Sequence, residues 1–292
     1  MDIAENKKLK VGLIQMSMSG NQQDNIFKAA VMVAEAADKG AKIICLPELF
    51  STKYFCQEQN NDNFELAERI PGKITDALAE VAKEKKVVII AGIFEKRSSG
   101  VYNNSAAVID PSGNILGIYR KMHIPEDPMD YHEKLYFAPG ERFMSFRTEY
   151  GEIGVLICWD QWFPEAARIT AMKGAKIIFY PTAIGWDPKD SKEKKEIQSS
   201  AWETIQKSHG IANGVFIASA NRVGKEGNID FWGSSFISGP FGEIISKAGS
   251  NSEEILVAEC DLEMVKITRK SWPFLRDRRI DSYNEITERF LD

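Results

Sequence analysis

Two rhythms alternate along this chain: apolar runs of strand length, and apolar residues spaced for one face of a helix. Lys10-Val-Gly-Leu-Ile-Gln-Met16 reads as the first strand, and Asn25 to Lys39 as an amphipathic helix that Gly40 stops. Ala41 to Leu46 reads as a second strand, ending in Pro47-Glu48-Leu49. A polar, aromatic loop runs from Phe50 to Asn63, Ile74 to Lys85 is the next helix, and Val87 to Phe94 the next strand. Val101 to Ile109 and Ile115 to Tyr119 flank Asp110-Pro-Ser-Gly113, a turn sequence that predicts a hairpin.

The second half repeats this order. Gly40-Ala-Lys-Ile-Ile44 returns as Gly174-Ala-Lys-Ile-Ile178, and Leu46-Pro-Glu-Leu49 is answered by Tyr180-Pro-Thr-Ala183. After a long helix, Lys192 to Asn213, Gly214-Val-Phe-Ile-Ala218 answers Val87-Val-Ile-Ile-Ala91, and a second hairpin sequence, Ser234 to Ile244, echoes Ser105 to Ile115. An internal duplication is the economical reading. Strands apolar on both faces need cover on both, and two equivalent sheets can bury their free faces against each other. The expected fold is therefore α/β, a four-layer α-β-β-α sandwich in one domain over residues 1–292, with a C-terminal arm from about 262 to 292. A doubly wound sheet split into two lobes is the alternative.

Composition narrows the partners. Of 292 residues 43% are hydrophobic and 27% charged, enough for a large core, and the net charge of −5 offers no footprint for nucleic acid or an anionic membrane. Met1-Asp-Ile-Ala-Glu-Asn-Lys-Lys8 has no apolar leader core, and no apolar run approaches the roughly 20 residues that cross a bilayer. A cytoplasmic protein is expected. Cys45, Cys56, Cys158 and Cys260 are widely scattered, with no C-x-x-C pair and no histidine at finger-like spacing, so neither a disulfide frame nor a structural zinc site is indicated, and three histidines are too few for a His-rich metal centre.

Candidate chemistry centres on one turn. Ile153 to Ile157 is a buried strand and Pro164-Glu-Ala-Ala-Arg168 a helix start, so Cys158 falls at a strand-to-helix turn, the geometry of a nucleophile elbow. A thiol there attacks carbonyl carbon if something takes its proton; a buried structural cysteine is the plainer alternative. Glu48 lies behind an apolar strand and a proline, a desolvated setting suited to a general base, although a helix cap or surface acid would look alike. Lys121 follows the hairpin and is either an oxyanion stabiliser or one more solvated cation. Both Glu48 and Cys158 stand past the C-terminal ends of strands, where ligands of α/β sheets gather. His123 and His132 read as structural hydrogen-bonders, and no Gly-rich loop follows the first strand to hold a nucleotide.

Leu46-Pro-Glu-Leu49, Tyr119-Arg-Lys-Met-His123 and Gly154-Val-Leu-Ile-Cys-Trp-Asp160 resemble, in order, the three motifs of the nitrilase (carbon–nitrogen hydrolase) superfamily. The resemblance spans Val11 to about Tyr283. It implies the same sandwich, Glu48 as base, Lys121 as oxyanion stabiliser, Cys158 as nucleophile, and no metal or organic cofactor. It also implies a second glutamate beside the lysine, which Glu133 fits best, with Glu126 as competitor. Within the superfamily, Leu49 to Cys56, Cys158 to Arg168 and Phe179 to Gly185 are most similar to members that cleave N-carbamoylputrescine to putrescine, ammonia and carbon dioxide. A diamine tail wants an aromatic slot ending in a carboxylate. Tyr54, Trp159, Thr182 and Trp186 are the expected walls, with Asp130 and Asp187 as the acids. N-carbamoyl-β-alanine or an ω-amide are rival substrates, and a non-catalytic small-molecule binder is the rival of another class. The resemblance further implies a homo-oligomer, in keeping with the aromatic and basic tail Arg269 to Arg279.

Overall fold

The computed structural model describes residues 8–127 and 131–291. Two six-stranded sheets hold the strands numbered here. The first half supplies β1 (Lys8–Gln15), β2 (Ile43–Cys45), β3 (Val88–Ser98), β4 (Val101–Ile109) and β5 (Ile115–Arg120). Then come β6 (Ser145–Thr148), β7 (Gly151–Val155), β8 (Ile177–Thr182), β9 (Phe216–Asn221), β10 (Phe236–Ser238), β11 (Ile244–Lys247) and β12 (Glu254–Asp261). The helices are α1 (Gln22–Asp38), α2 (Lys73–Lys85), α3 (Glu133–Tyr136), α4 (Pro164–Met172), α5 (Lys192–Asn213) and α6 (Glu263–Ser271).

One sheet runs β12-β1-β2-β3-β4-β5 and the other β6-β7-β8-β9-β10-β11, so the halves match strand for strand. In each, three parallel strands lead into an antiparallel hairpin. The edge strands are exchanged. β6 follows the first hairpin yet pairs with β7, and β12 follows the second hairpin yet pairs with β1 from Lys8 opposite Asp261 to Gln15 opposite Glu254.

Alternation along the strands sorts the layers. On β1 to β3, Leu13, Ile43, Cys45, Val88 and Ile90 join Val155, Ile177 and Phe179 in the core between the sheets. Their neighbours Ile14, Ile44 and Ile89 point the other way, into Ile26, Ala29 and Val33 of α1 and Leu78 and Ala82 of α2. Ala166, Ala167 and Ala171 of α4 and Trp202 of α5 cover the second sheet. The four expected layers are all present.

Smaller elements were not foreseen. The loop after β2 folds into two 3-10 turns, Phe55–Gln57 and Asn61–Leu66, and Gly185–Trp186, Val223–Glu226 and Ile229–Trp232 form a three-stranded ribbon. The arm begins later than expected: Leu262 and Val265 are buried and Arg269 bonds the Asn213 carbonyl at 3.0 Å, so the exposed stretch starts at Trp272. Among the described residues no helix is long and apolar enough to cross a membrane.

Candidate active site

Three segments deliver charged or nucleophilic groups to one place. The first is the turn after β7, where the Leu156 N–H still bonds the Phe179 carbonyl at 3.0 Å before the chain leaves the sheet. Cys158 then takes φ +42, a left-handed conformation that a side chain adopts only under constraint, and Pro164 opens α4 six residues later. Its thiol is nearly buried, 3.8 Å from the Ala183 carbonyl. Burial pushes the thiol well up and the Glu48 charge adds to this, while Lys121 pulls the other way. The resting sulfur is therefore protonated, and a base is needed.

Glu48 supplies a carboxylate from the turn after β2. The chain bends sharply here, with Leu49 at φ +48, and Gly92 of β3 lets it approach: a Cβ at Gly92 would lie 2.8 Å from the Pro47 carbonyl oxygen and 2.9 Å from the Glu48 Cα. Arg222, fully buried at the end of β9, donates to the carbonyls of Glu48 at 2.8 Å and Leu49 at 3.1 Å. Glu226 neutralises it at 3.0 Å and also accepts the Tyr54 N–H at 2.6 Å. The Glu48 side chain is itself fully buried. Its Oε1 accepts from Lys121 Nζ at 2.8 Å and Asn104 Nδ2 at 2.7 Å, whereas Oε2 has no partner among the described residues. A carboxylate oxygen buried without a donor is costly, and it is the atom free to take a proton.

Lys121 directly follows β5, its N–H bonded to the Asn104 carbonyl at 2.9 Å. The ammonium bridges Glu48 and both oxygens of Glu133, at 2.9 and 2.7 Å, and all three side chains are buried. Burial works against the lysine charge, but Glu133 and Glu48 outweigh it and hold the ammonium well above its usual range. Burial raises the Glu133 carboxyl against the pull of Lys121. Glu133 opens α3 and accepts the Tyr54 hydroxyl at 2.7 Å. Of the two candidates for the second glutamate, Glu133 is the one in the cluster; Glu126 faces His132 at 3.1 Å.

A cavity of about 420 Å³ opens beside Cys158. Trp159, Tyr131, Trp162 and Trp232 form its aromatic walls, and Asp187 also lines it, so of the residues named from the sequence as walls and acids Trp159 and Asp187 face this cavity. Three other expected wall residues lie elsewhere. Tyr54 is spent on Glu133, Thr182 is buried in β8 with its hydroxyl on the Tyr180 carbonyl, and Trp186 packs behind Trp232 with its indole N–H on the Lys195 carbonyl. In each case a polar atom inside the fold had to find a partner there, which turned the side chain from the cavity. Asp130 lies outside the described residues. The rim also holds Asp190 and Lys194, ion-paired at 2.6 Å. Sequence reading missed Asn104, Tyr131, Asp190 and Arg222. Asn104 alone left a signal, a polar residue inside an otherwise apolar strand.

Known proteins resemble this chain over nearly its whole length. The model of the carbon-nitrogen hydrolase family matches residues 10–270. An N-carbamoylputrescine amidase of Arabidopsis thaliana is 45% identical over 96% of this chain and 95% of its own. A protein of Francisella tularensis named citrullinase is 40% identical, over 97% of this chain and 99% of its own. Among solved structures, a carbon-nitrogen hydrolase from Helicobacter pylori superposes with a TM-score of 0.94 at 45% identity, covering 97% of this chain and all of that one.

Proposed function

The chain belongs to the carbon–nitrogen hydrolase family, and from that membership and the geometry of its site we propose that it hydrolyses N-carbamoylputrescine to putrescine, ammonia and carbon dioxide. The observation that carries the chemistry is the buried Glu48–Lys121–Glu133 cluster, in which Glu48 keeps one oxygen, Oε2, without a donor among the described residues and its charge raises the Cys158 thiol. Glu48 takes the thiol proton and the sulfur attacks the ureido carbon. One N–H of Lys121, now on Glu133, turns to the oxyanion together with the Trp159 backbone N–H, and the remaining bonds keep the lysine in place. Collapse expels ammonia, protonated from Glu48, and leaves a carbamoyl thioester on Cys158. Water deprotonated by Glu48 then cleaves the thioester, and the carbamate released loses carbon dioxide. The aromatic walls suit the alkyl spacer, and Asp187 with Asp190 suits the distal ammonium. No step calls for a metal or organic cofactor.

Lys194 favours a second substrate. Beside Asp187 and Asp190 it gives the rim both signs of charge, a match for a ureido amino acid such as the citrulline in the name of the Francisella relative. Ammonia release from N-carbamoyl amines, citrulline, N-carbamoyl-β-alanine and ω-amides ranks the candidates. Preference for the anionic members would overturn the diamine and leave the reaction class standing. Cys158→Ala is expected to abolish turnover with an unchanged melting temperature, and residual turnover in that variant would end the thioester mechanism.

A homo-oligomer and a cytoplasmic site belong to the same proposal. Met172 on α4 and Trp272, Ile280, Ile286 and Phe290 on the arm expose large apolar groups, the composition of an interface, and four unpaired cysteines suit a reducing compartment. Light scattering tests the association, and a monomer mass would reject it.

A further inference from the structure

We propose that Asp160 is a positioning residue, a clasp that ties the segment carrying Lys121 to the turn carrying Cys158 and so fixes the ammonium relative to the sulfur. This rests on the roles of those two residues given above. Asp160 lies two residues past the nucleophile and is fully buried. Its Oδ2 accepts the Ile157 N–H at 2.9 Å and the Tyr119 hydroxyl at 2.7 Å. Its Oδ1 accepts the His123 N–H at 3.0 Å and lies 2.7 Å from His123 Nδ1.

These contacts fill the roughly four acceptor positions of a carboxylate, and they divide unequally. Capping the Cys158 turn needs only the bond to Ile157. The other three reach Tyr119 and His123, which stand two residues before and two after Lys121. A second contact follows the same route: the His123 ring stacks on Phe163, just before α4, at 3.7 Å with 4° between planes. Lys121 takes its direction from Glu48 and Glu133, neither of which belongs to the nucleophile turn. Among the described residues, Asp160 thus bonds directly to both the lysine segment and the nucleophile turn.

The test is Tyr119→Phe, which cuts one bond across the clasp and leaves the Ile157 cap. Two rates are measured: turnover of the panel substrate that the wild type hydrolyses fastest, and modification of Cys158 by methyl methanethiosulfonate, read by mass spectrometry on its peptide. That reagent transfers a methylthio group to the thiolate and releases methanesulfinate, so no oxyanion forms. The expected result is kcat lower by about 10- to 100-fold, KM within about twofold of wild type and a modification rate that falls by no more than about threefold, the signature of a displaced lysine beside an intact nucleophile. Asp160→Asn, which disturbs both sides of the clasp, is expected to lower both rates. A Tyr119→Phe enzyme with wild-type kcat, or one whose modification rate falls in step with kcat, would overturn the clasp. A wild type that releases no ammonia from any panel member would instead overturn the enzymatic reading beneath it.

Discussion

At Cys158 the sulfur is held out of water between charges of opposite sign, and this sets a prediction that separates reactivity from catalysis. Burial raises the thiol first and the Glu48 carboxylate raises it further, so the thiolate fraction at neutral pH is small and grows as pH climbs past the usual thiol range. Glu48→Gln removes the stronger of the two negative neighbours, Glu48 and Glu133, and leaves Lys121 in place. The pH at which Cys158 begins to react with a thiol reagent should therefore move down, while turnover falls by several orders of magnitude because the base is gone. An onset that stays put or moves up would show that Glu48 does not act on the thiol through its charge. Residues of this kind were partly legible. A strand, a turn and a proline mark Cys158, whereas Glu133 stood out through the family resemblance and Asp160 was only the last residue of the third motif. What defines Asp160 is four donors, three of them about 40 residues away in sequence, and local pattern carries no trace of such a convergence.

Among the elements, the two sheets and their helices followed from periodicity because each strand needed cover on both faces. The turns that aim the chemistry did not. The turn after β2 takes its shape from outside itself, from the space left by Gly92 and from the guanidinium of Arg222, which arrives from the opposite sheet. Nothing in the sequence singles out Arg222, and a fully buried arginine is rare. Arg222 is ion-paired with Glu226 at 3.0 Å inside the fold, so removing one partner leaves the other buried without its counter-charge. Arg222→Met should cost about 3–5 kcal/mol in denaturant unfolding, and Arg222→Met with Glu226→Gln should restore part of this, since Gln still offers an oxygen to the Tyr54 N–H. Turnover should stay low in both, because neither holds the Glu48 carbonyl. A single variant that loses less than about 1 kcal/mol would mean that the pair is a bystander to the turn.

For the whole molecule, the order of elements announced a duplication, yet two copies laid side by side would still have been two lobes. The exchange of edge strands changes that. Each half completes its sheet with a strand that lies, in sequence, at the end of the other half, and pairing between Lys8 and Asp261 spans nearly the full described chain. No composition or spacing marks β12 as a partner of β1 rather than of its neighbour β11, because strand sequences specify a face and not a mate. The consequence is a proposal of one cooperative unit, with a sharp test. Ending the chain before Glu254 strips β12 and bares eight residues of β1. That truncation should fail to give a cooperative melt, whereas ending it after Trp272 should preserve one, since the residues removed are mostly exposed. Full-length protein should unfold in a single transition by both tryptophan fluorescence and circular dichroism. Two separated transitions would restore the two-lobe alternative and leave the exchanged strands as a mere seam, and in that case Glu48 and Lys121 from one half and Cys158 from the other could part before either half unfolds.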